Sequence, residues 1–299
     1  MTRFHAGIGT LRRRGYEVEI GRTAYQRRGY LCGTDAARVD ELNSYLRRPD
    51  VKMLIAARGG YGTLRLLPDV DYDAARANPK LIVGYSDITA LHLALYRNAG
   101  LPGISGPMVA VEWHDPDPAS ETLFWDLAGG AAPDPLIGPG GEELQAVREG
   151  TVEGVLLGGN LAMVVRLLGT PYLPALEGAI LFIEDVGEEP YRIDAMLAQL
   201  RLAGVFDVLG GLILGGFTEW ESDDDSPTLS LERIFEDYLS EATFPVAKGL
   251  IYGHFPVKNS IPVGVRARLQ VTSDHARLGL QESVVTLPQG RCDKDSQPS

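Results

Sequence analysis

Lys80 to Leu95, KLIVGYSDITALHLAL, is the stretch from which the fold of this chain is read. Leu81, Ile82 and Val83 make a short apolar run, Gly84 ends it, and Ile88, Leu91, His92 and Leu95 then share one helical face. The pattern predicts a strand that turns sharply into a helix, with Tyr85 and Ser86 at the turn. A hydroxyl held there projects from the end of a sheet, beside helical N–H groups able to receive a developing oxyanion. A second reading makes Ser86 a helix N-cap, with Asp87 suited to the positive end of the dipole. The G-x-S-x-G elbow is incomplete, since Ile88 stands where its second glycine would be. This window leaves both readings open.

Before that window, Phe4, Ile8 and Leu11 recur at helical spacing, and Tyr16 to Ile20 reads as a strand. Asp35 to Leu46 reads as a helix capped by Thr34, with Val39, Leu42 and Leu46 inward. Val51 to Ala57 is a short apolar strand leading into Arg58-Gly59-Gly60-Tyr61-Gly62, and a further apolar segment lies near Leu101 to Ile104. Strands alternating with helices predict a parallel, doubly wound sheet. From Glu112 to Gly150 the texture changes to Pro- and Gly-rich and reads as a crossover linker. A second unit then runs through a strand into Gly158-Gly159-Asn160, a helix to Leu168, a strand Ala179 to Ile183 and a helix Tyr191 to Leu202. Gly211 to Leu214, an acidic loop Glu221 to Ser226, a helix Leu231 to Leu239 and short β-like segments from Val246 to Leu287 complete it. The expected divisions are 1–115, a linker 116–150, a second domain 151–288 and a disordered tail 289–299.

Composition narrows the classes. The 299 residues, 44% hydrophobic and 23% charged, suit a globular protein with a sizeable core. A net charge of −12 argues against nucleic acid or an anionic membrane as partner. Arginine carries most of the positive charge, and Lys52, Lys80, Lys248, Lys258 and Lys294 are the lysines. Cys32 and Cys292 make no disulfide framework and no metal-like spacing, which fits a reducing compartment. No apolar run follows Arg12-Arg13-Arg14, and no segment approaches the ~20 apolar residues of a membrane span, so a cytoplasmic protein is expected.

Three groupings outside the opening window could carry chemistry. Glycines 59, 60 and 62 let backbone N–H groups approach a substrate oxygen, although a tight turn accounts for them equally well; no G-K-[ST] follows and the G-x-G-x-x-G spacing is absent. Glu184 and Asp185, then Glu188, follow an apolar strand, where they could cap the next helix, stay solvated or orient a histidine. His254 follows an apolar strand and the flexible Gly253, whereas His92 reads as a packed core histidine. His5, His114 and His275 lie in terminus, loop and turn contexts, and no histidine pair has zinc-helix spacing, so neither metal nor cofactor is expected. Ser86, Glu184 and His254 thus occur in the chain order serine, acid, histidine.

Arg58-Gly-Gly-Tyr-Gly, Arg65-Leu-Leu-Pro and Asn78-Pro-Lys-Leu-Ile-Val-Gly-Tyr-Ser-Asp-Ile-Thr-Ala-Leu together resemble the LD-carboxypeptidase family of serine peptidases. Gly158-Gly-Asn-Leu, Leu168-Gly-Thr, Leu181-Phe-Ile-Glu-Asp-Val-Gly-Glu and Gly253-His254 continue the resemblance over roughly residues 10 to 275. It implies an α/β protein: a Rossmann-like, mostly parallel N-terminal domain and a smaller, β-rich α/β C-terminal domain, paired as a homodimer in the cytoplasm. It implies a peptidase that releases the terminal D-alanine of murein tetrapeptide, needing no metal. A branch of the family instead cleaves microcin-type peptidyl-nucleotide antibiotics, and a binding module without turnover is the alternative from another class.

On this resemblance Ser86 is the nucleophile, His254 the general base and Glu184 the residue that orients the imidazole, with Asp185 and Glu188 as competitors for the acid. The backbone N–H groups of Asp87 and Gly59, or Gly60, would form the oxyanion hole. Asn160, Tyr191 and Arg192 are expected among the substrate contacts, with a surface ion pair the competing role for Arg192. Family members begin with an apolar strand and an Ala-Pro-Ser-type loop, whereas this sequence starts at Met1 inside the segment matching the first helix. A start codon further upstream, or a degenerate member, accounts for that difference; the presence of all three triad residues favours the former.

Overall fold

The computed structural model describes residues 1–219 and 227–286. The acidic loop at Glu221 to Ser226 and the tail expected at 289–299 lie outside the described residues. The N-terminal part runs α1 (Thr2–Arg13), α2 (Asp35–Arg47), β1 (Met53–Ile55), α3 (Tyr72–Ala77), β2 (Leu81–Val83), α4 (Thr89–Ala99) and β3 (Gly103–Ser105). Strands β1, β2 and β3 pair in parallel, as the alternation of elements predicts. Phe4, Ile8 and Leu11 are buried on one side of α1, and the Thr34 hydroxyl accepts from the Ala37 N–H to cap α2.

Two expectations need correction. No strand forms over Tyr16 to Ile20. Val18 and Ile20 pack on the core, but the Val18 carbonyl accepts from the Arg12 guanidinium and joins no ladder. The stretch read as a linker carries α5 (Pro118–Ala128) and β4 (Gln145–Arg148). Asp117 caps α5 by accepting from the Ser120 N–H, and Pro118 sits at its first turn, where its missing N–H costs nothing.

The remainder runs β5 (Gly150–Asn160), α6 (Leu161–Leu167), β6 (Ile180–Val186), α7 (Pro190–Leu202), α8 (Val205–Val208), β7 (Gly211–Thr218), α9 (Leu231–Leu239), β8 (Val246–Lys248), β9 (Ile261–Val263), β10 (Val265–Val271) and β11 (Ala276–Leu280). Seven strands form the second sheet in the order β11-β10-β5-β6-β7-β8-β4, with β5 through β8 parallel. Residues 180–185 of β6 are all buried, and Ile180 to Ile183 make the unbroken apolar run expected of a central parallel strand. Strand β9 leaves this sheet and closes the first one, antiparallel to β3, giving the order β1-β2-β3-β9.

The two sheets share a core. Helix α4 packs on β5 and α6, and the Thr89 hydroxyl accepts from the Asn160 N–H at 3.0 Å. Phe182 and Tyr252 are fully buried edge-to-face, at 5.1 Å between ring centroids. Burial of each such side chain contributes on the order of 2–3 kcal/mol. The carboxyl end of β2 and the carboxyl end of β6 therefore face one region, which holds the candidate site. No helix of the described residues is long and apolar enough to cross a membrane.

Candidate active site

Ser86 has φ 63°, a left-handed conformation that a non-glycine residue adopts only at a cost. It opens a single 3-10 turn, Ser86–Ile88, ahead of α4, and no side chain caps that turn. The Ser86 side chain therefore caps no helix, and the residue stands instead at a strained strand-to-helix turn. Two contacts hold the turn. His92, buried on α4, donates from Nε2 to the Gly84 carbonyl at 2.9 Å. Burial brings the His92 imidazole down to about 4, so it is neutral near neutral pH.

The Asp87 carboxylate, 6% exposed, accepts from the Thr63 N–H at 2.9 Å and the Thr63 hydroxyl at 2.7 Å. It thereby ties the turn to the glycine loop at 58–62. That loop comes very close: a Cβ on Gly59 would stand 3.0 Å from the Ser86 Cβ and 3.2 Å from its hydroxyl oxygen. Gly60, the alternative donor, has φ 132°. The role of Asp87 in fixing the loop was not legible from its place after Ser86, which suggested only the helix dipole.

Glu184 is fully buried at the end of β6, and its Oε2 accepts from His254 Nδ1 at 2.8 Å. With Nδ1 as donor, Nε2 of a neutral imidazole is left free to accept a proton. The other Glu184 oxygen accepts from the Asn160 amide at 3.3 Å. Asp185, the neighbouring competitor, points elsewhere: it accepts from the Asn160 amide at 2.8 Å and from the Ala162 and Val186 N–H groups, both at 2.9 Å. Burial pushes its carboxyl upward, against these donors. Glu188, the other competitor, pairs with Arg192 at 3.5 Å.

Asn160, expected to touch substrate, is 5% exposed and uses its amide on Glu184, Asp185 and, through Oδ1, the Met163 N–H at 3.2 Å. These bonds tie it to both carboxylates at the end of β6 and to the first turn of α6. Tyr191 and Arg192 lie at the start of α7, exposed, with Arg192 held by Glu188, Glu189 and the Tyr191 hydroxyl. The structure does not draw them into contact with Ser86 or His254. Tyr85, by contrast, meets the His254 ring edge-on at 5.1 Å, so the turn carrying Ser86 and the loop carrying His254 pack together. Among the described residues no group of three or more His, Cys, Asp and Glu is placed to hold a metal ion.

A strained serine at a strand end, a glycine loop against it and an imidazole hydrogen-bonded to a buried carboxylate thus lie at the carboxyl ends of strands of an α/β protein. The chain belongs to the LD-carboxypeptidase family: residues 1–106 match the model of the LD-carboxypeptidase N-terminal domain, and residues 153–269 that of the C-terminal domain. It is accordingly a carboxypeptidase, a hydrolase by class. It is 35% identical to the murein tetrapeptide carboxypeptidase of Pseudomonas aeruginosa over 262 residues, 86% of this chain and 84% of that one. The crystal structure of muramoyltetrapeptide carboxypeptidase from Oxalobacter formigenes matches with a TM-score of 0.83 and 33% identity, covering 93% of this chain and 94% of that one. The microcin C7 self-immunity protein MccF of Escherichia coli is 27% identical over 317 residues, 95% of this chain and 89% of that one.

Proposed function

We propose that this protein hydrolyses the L,D amide bond to the terminal D-alanine of murein tetrapeptide through a Ser86–His254–Glu184 triad. The observation that carries the mechanism is the 2.8 Å contact from His254 Nδ1 to the buried Glu184. In the reaction, Ser86 Oγ attacks the amide carbonyl while His254 Nε2 takes its proton. The carbonyl oxygen becomes an oxyanion held by the backbone N–H groups of Asp87 and Gly59, with Gly60 the alternative to Gly59. His254 then passes the proton to the departing amine of D-alanine, and the bond breaks. Water, activated by the same imidazole, releases the acyl group from Ser86. Glu184 keeps the imidazole in the productive tautomer and stabilises the imidazolium between these transfers.

The substrate assignment follows the relatives named for murein peptides, which are the more similar in sequence. The second reading, cleavage of a peptidyl-nucleotide antibiotic, is favoured by the likeness to MccF across 95% of the chain. One assay separates them. Purified protein is given murein tetrapeptide and, separately, aspartyl sulfamoyl adenosine, a ligand found bound to MccF. D-alanine release with the nucleoside left intact is expected; aspartate release alone would establish the second reading. The cytoplasmic location and homodimer implied by the resemblance belong to the same proposal, and sedimentation of the purified chain tests the dimer.

A further inference from the structure

Lys258 is a buried cation that the reaction above leaves unused. It is 6% exposed and contacts Glu112 at 2.7 Å and the Gly253 carbonyl at 2.9 Å. Its ammonium also stands 3.8 Å from the centroid of the Tyr85 ring. Glu112 in turn accepts from the Tyr85 hydroxyl at 2.9 Å and, with its other oxygen, from the Met108 N–H at 2.8 Å. Every partner borders the candidate triad: Gly253 precedes His254, Tyr85 precedes Ser86, and the Tyr85 and His254 rings touch. A buried ion pair is a poor stabiliser, because desolvation offsets most of its Coulomb gain. Stability alone does not account for one in this place.

We propose that the Lys258–Glu112 pair is a positioning device that holds the His254 loop on the Tyr85–Ser86 turn and sets the charge felt by the His254 imidazole. It rests on the reading of Ser86, His254 and Glu184 given above. The charged and titratable groups facing His254 are Glu184 from β6, the Tyr85 phenol from the turn and Lys258 with Glu112 behind that ring. Tyr252 lies beneath, its hydroxyl shared with Ser105. Asp185 is turned toward α6, and Glu188 and Glu189 are paired with Arg192. Burial pulls the Lys258 ammonium down, and Glu112 first, then Glu184, push it back up, so the cation and the triad carboxylate act on one another.

The test is imidazole NMR titration of the full-length protein, with His254→Asn used to assign the His254 signal. Lys258→Met leaves Glu112 unbalanced and raises the His254 midpoint; Glu112→Gln leaves Lys258 unbalanced and lowers it. Each shift is on the order of half to one pH unit. The double variant restores the midpoint but loosens the loop, lowering kcat about 10-fold or more with KM little changed. Midpoints that stay put, or move the same way in both single variants as simple loosening would produce, overturn the proposal. If Lys258→Met does not fold, Glu112→Gln against the double variant decides it: a lower midpoint in the single variant supports the pair, equal midpoints refute it. A fully active Ser86→Ala protein would remove the reading beneath the proposal without altering these titrations, so the two failures are separable.

Discussion

At the scale of single residues, the site is built from groups held where they are individually unfavourable. Ser86 sits in left-handed backbone, which costs an L side chain on the order of 1–2 kcal/mol. Glycine relieves that strain, although it adds entropy to the unfolded chain. Ser86→Gly is therefore expected to be at least as stable as Ser86→Ala, by up to about 1 kcal/mol, with both inactive; urea unfolding of the two variants measures it. His92 shows the same economy beneath the turn. Its folded pKa of about 4 lies below the ordinary histidine value of 6.5, so the unfolded chain binds the proton first as pH falls. The stability it contributes is present above pH 6.5 and is lost toward pH 4, at about 1.4 kcal/mol per unit. Between about pH 7 and pH 5 the wild type should lose roughly 2 kcal/mol more than His92→Gln, read from urea midpoints. Parallel losses would contradict the buried neutral imidazole.

At the scale of elements, much was legible because local signals agree with tertiary ones. Thr34 caps α2, the strand into Gly158-Gly159-Asn160 is β5, and the apolar run at Ile180 to Ile183 is a strand. What escaped depends on distant partners. Tyr16 to Ile20 alternates like a strand, yet whether a neighbour pairs with it is not written locally. Helix α5 was masked by the prolines around it, although Asp117 followed by Pro118 is a start signal as well as a loop signal. Glu184 could be separated from Asp185 by resemblance but not by chemistry, since only the folded path of the distant segment between β8 and β9 shows which carboxylate meets His254. Gly253 turns that geometry into a prediction. With φ 118°, and a Cβ that would lie 2.6 Å from Glu184 Oε2, it admits no side chain. Gly253→Ala should lower kcat at least 10-fold by displacing the Glu184–His254 pair, while far-UV circular dichroism stays native. Unchanged kcat would show that the pair is not needed in its present geometry.

At the scale of the whole molecule, the site belongs to neither half alone. Ser86 and the glycine loop come from the first sheet, Glu184 from the second, and His254 from the segment that runs from β8 of the second sheet to β9, which closes the first sheet. This assembly was the least legible feature. Lys258, one of five lysines in an arginine-rich chain, gave a compositional signal but no hint of Glu112 or Tyr85 as its partners. The central claim is that the Ser86 turn and the Glu184–His254 pair, brought together in this way, form one catalytic unit. The most direct measurement is D-alanine release from murein tetrapeptide by wild type and by Ser86→Ala, with folding of each followed by circular dichroism. The account predicts release by the wild type and a fall of about 10³-fold or more in a folded Ser86→Ala. Equal release by both proteins would contradict it.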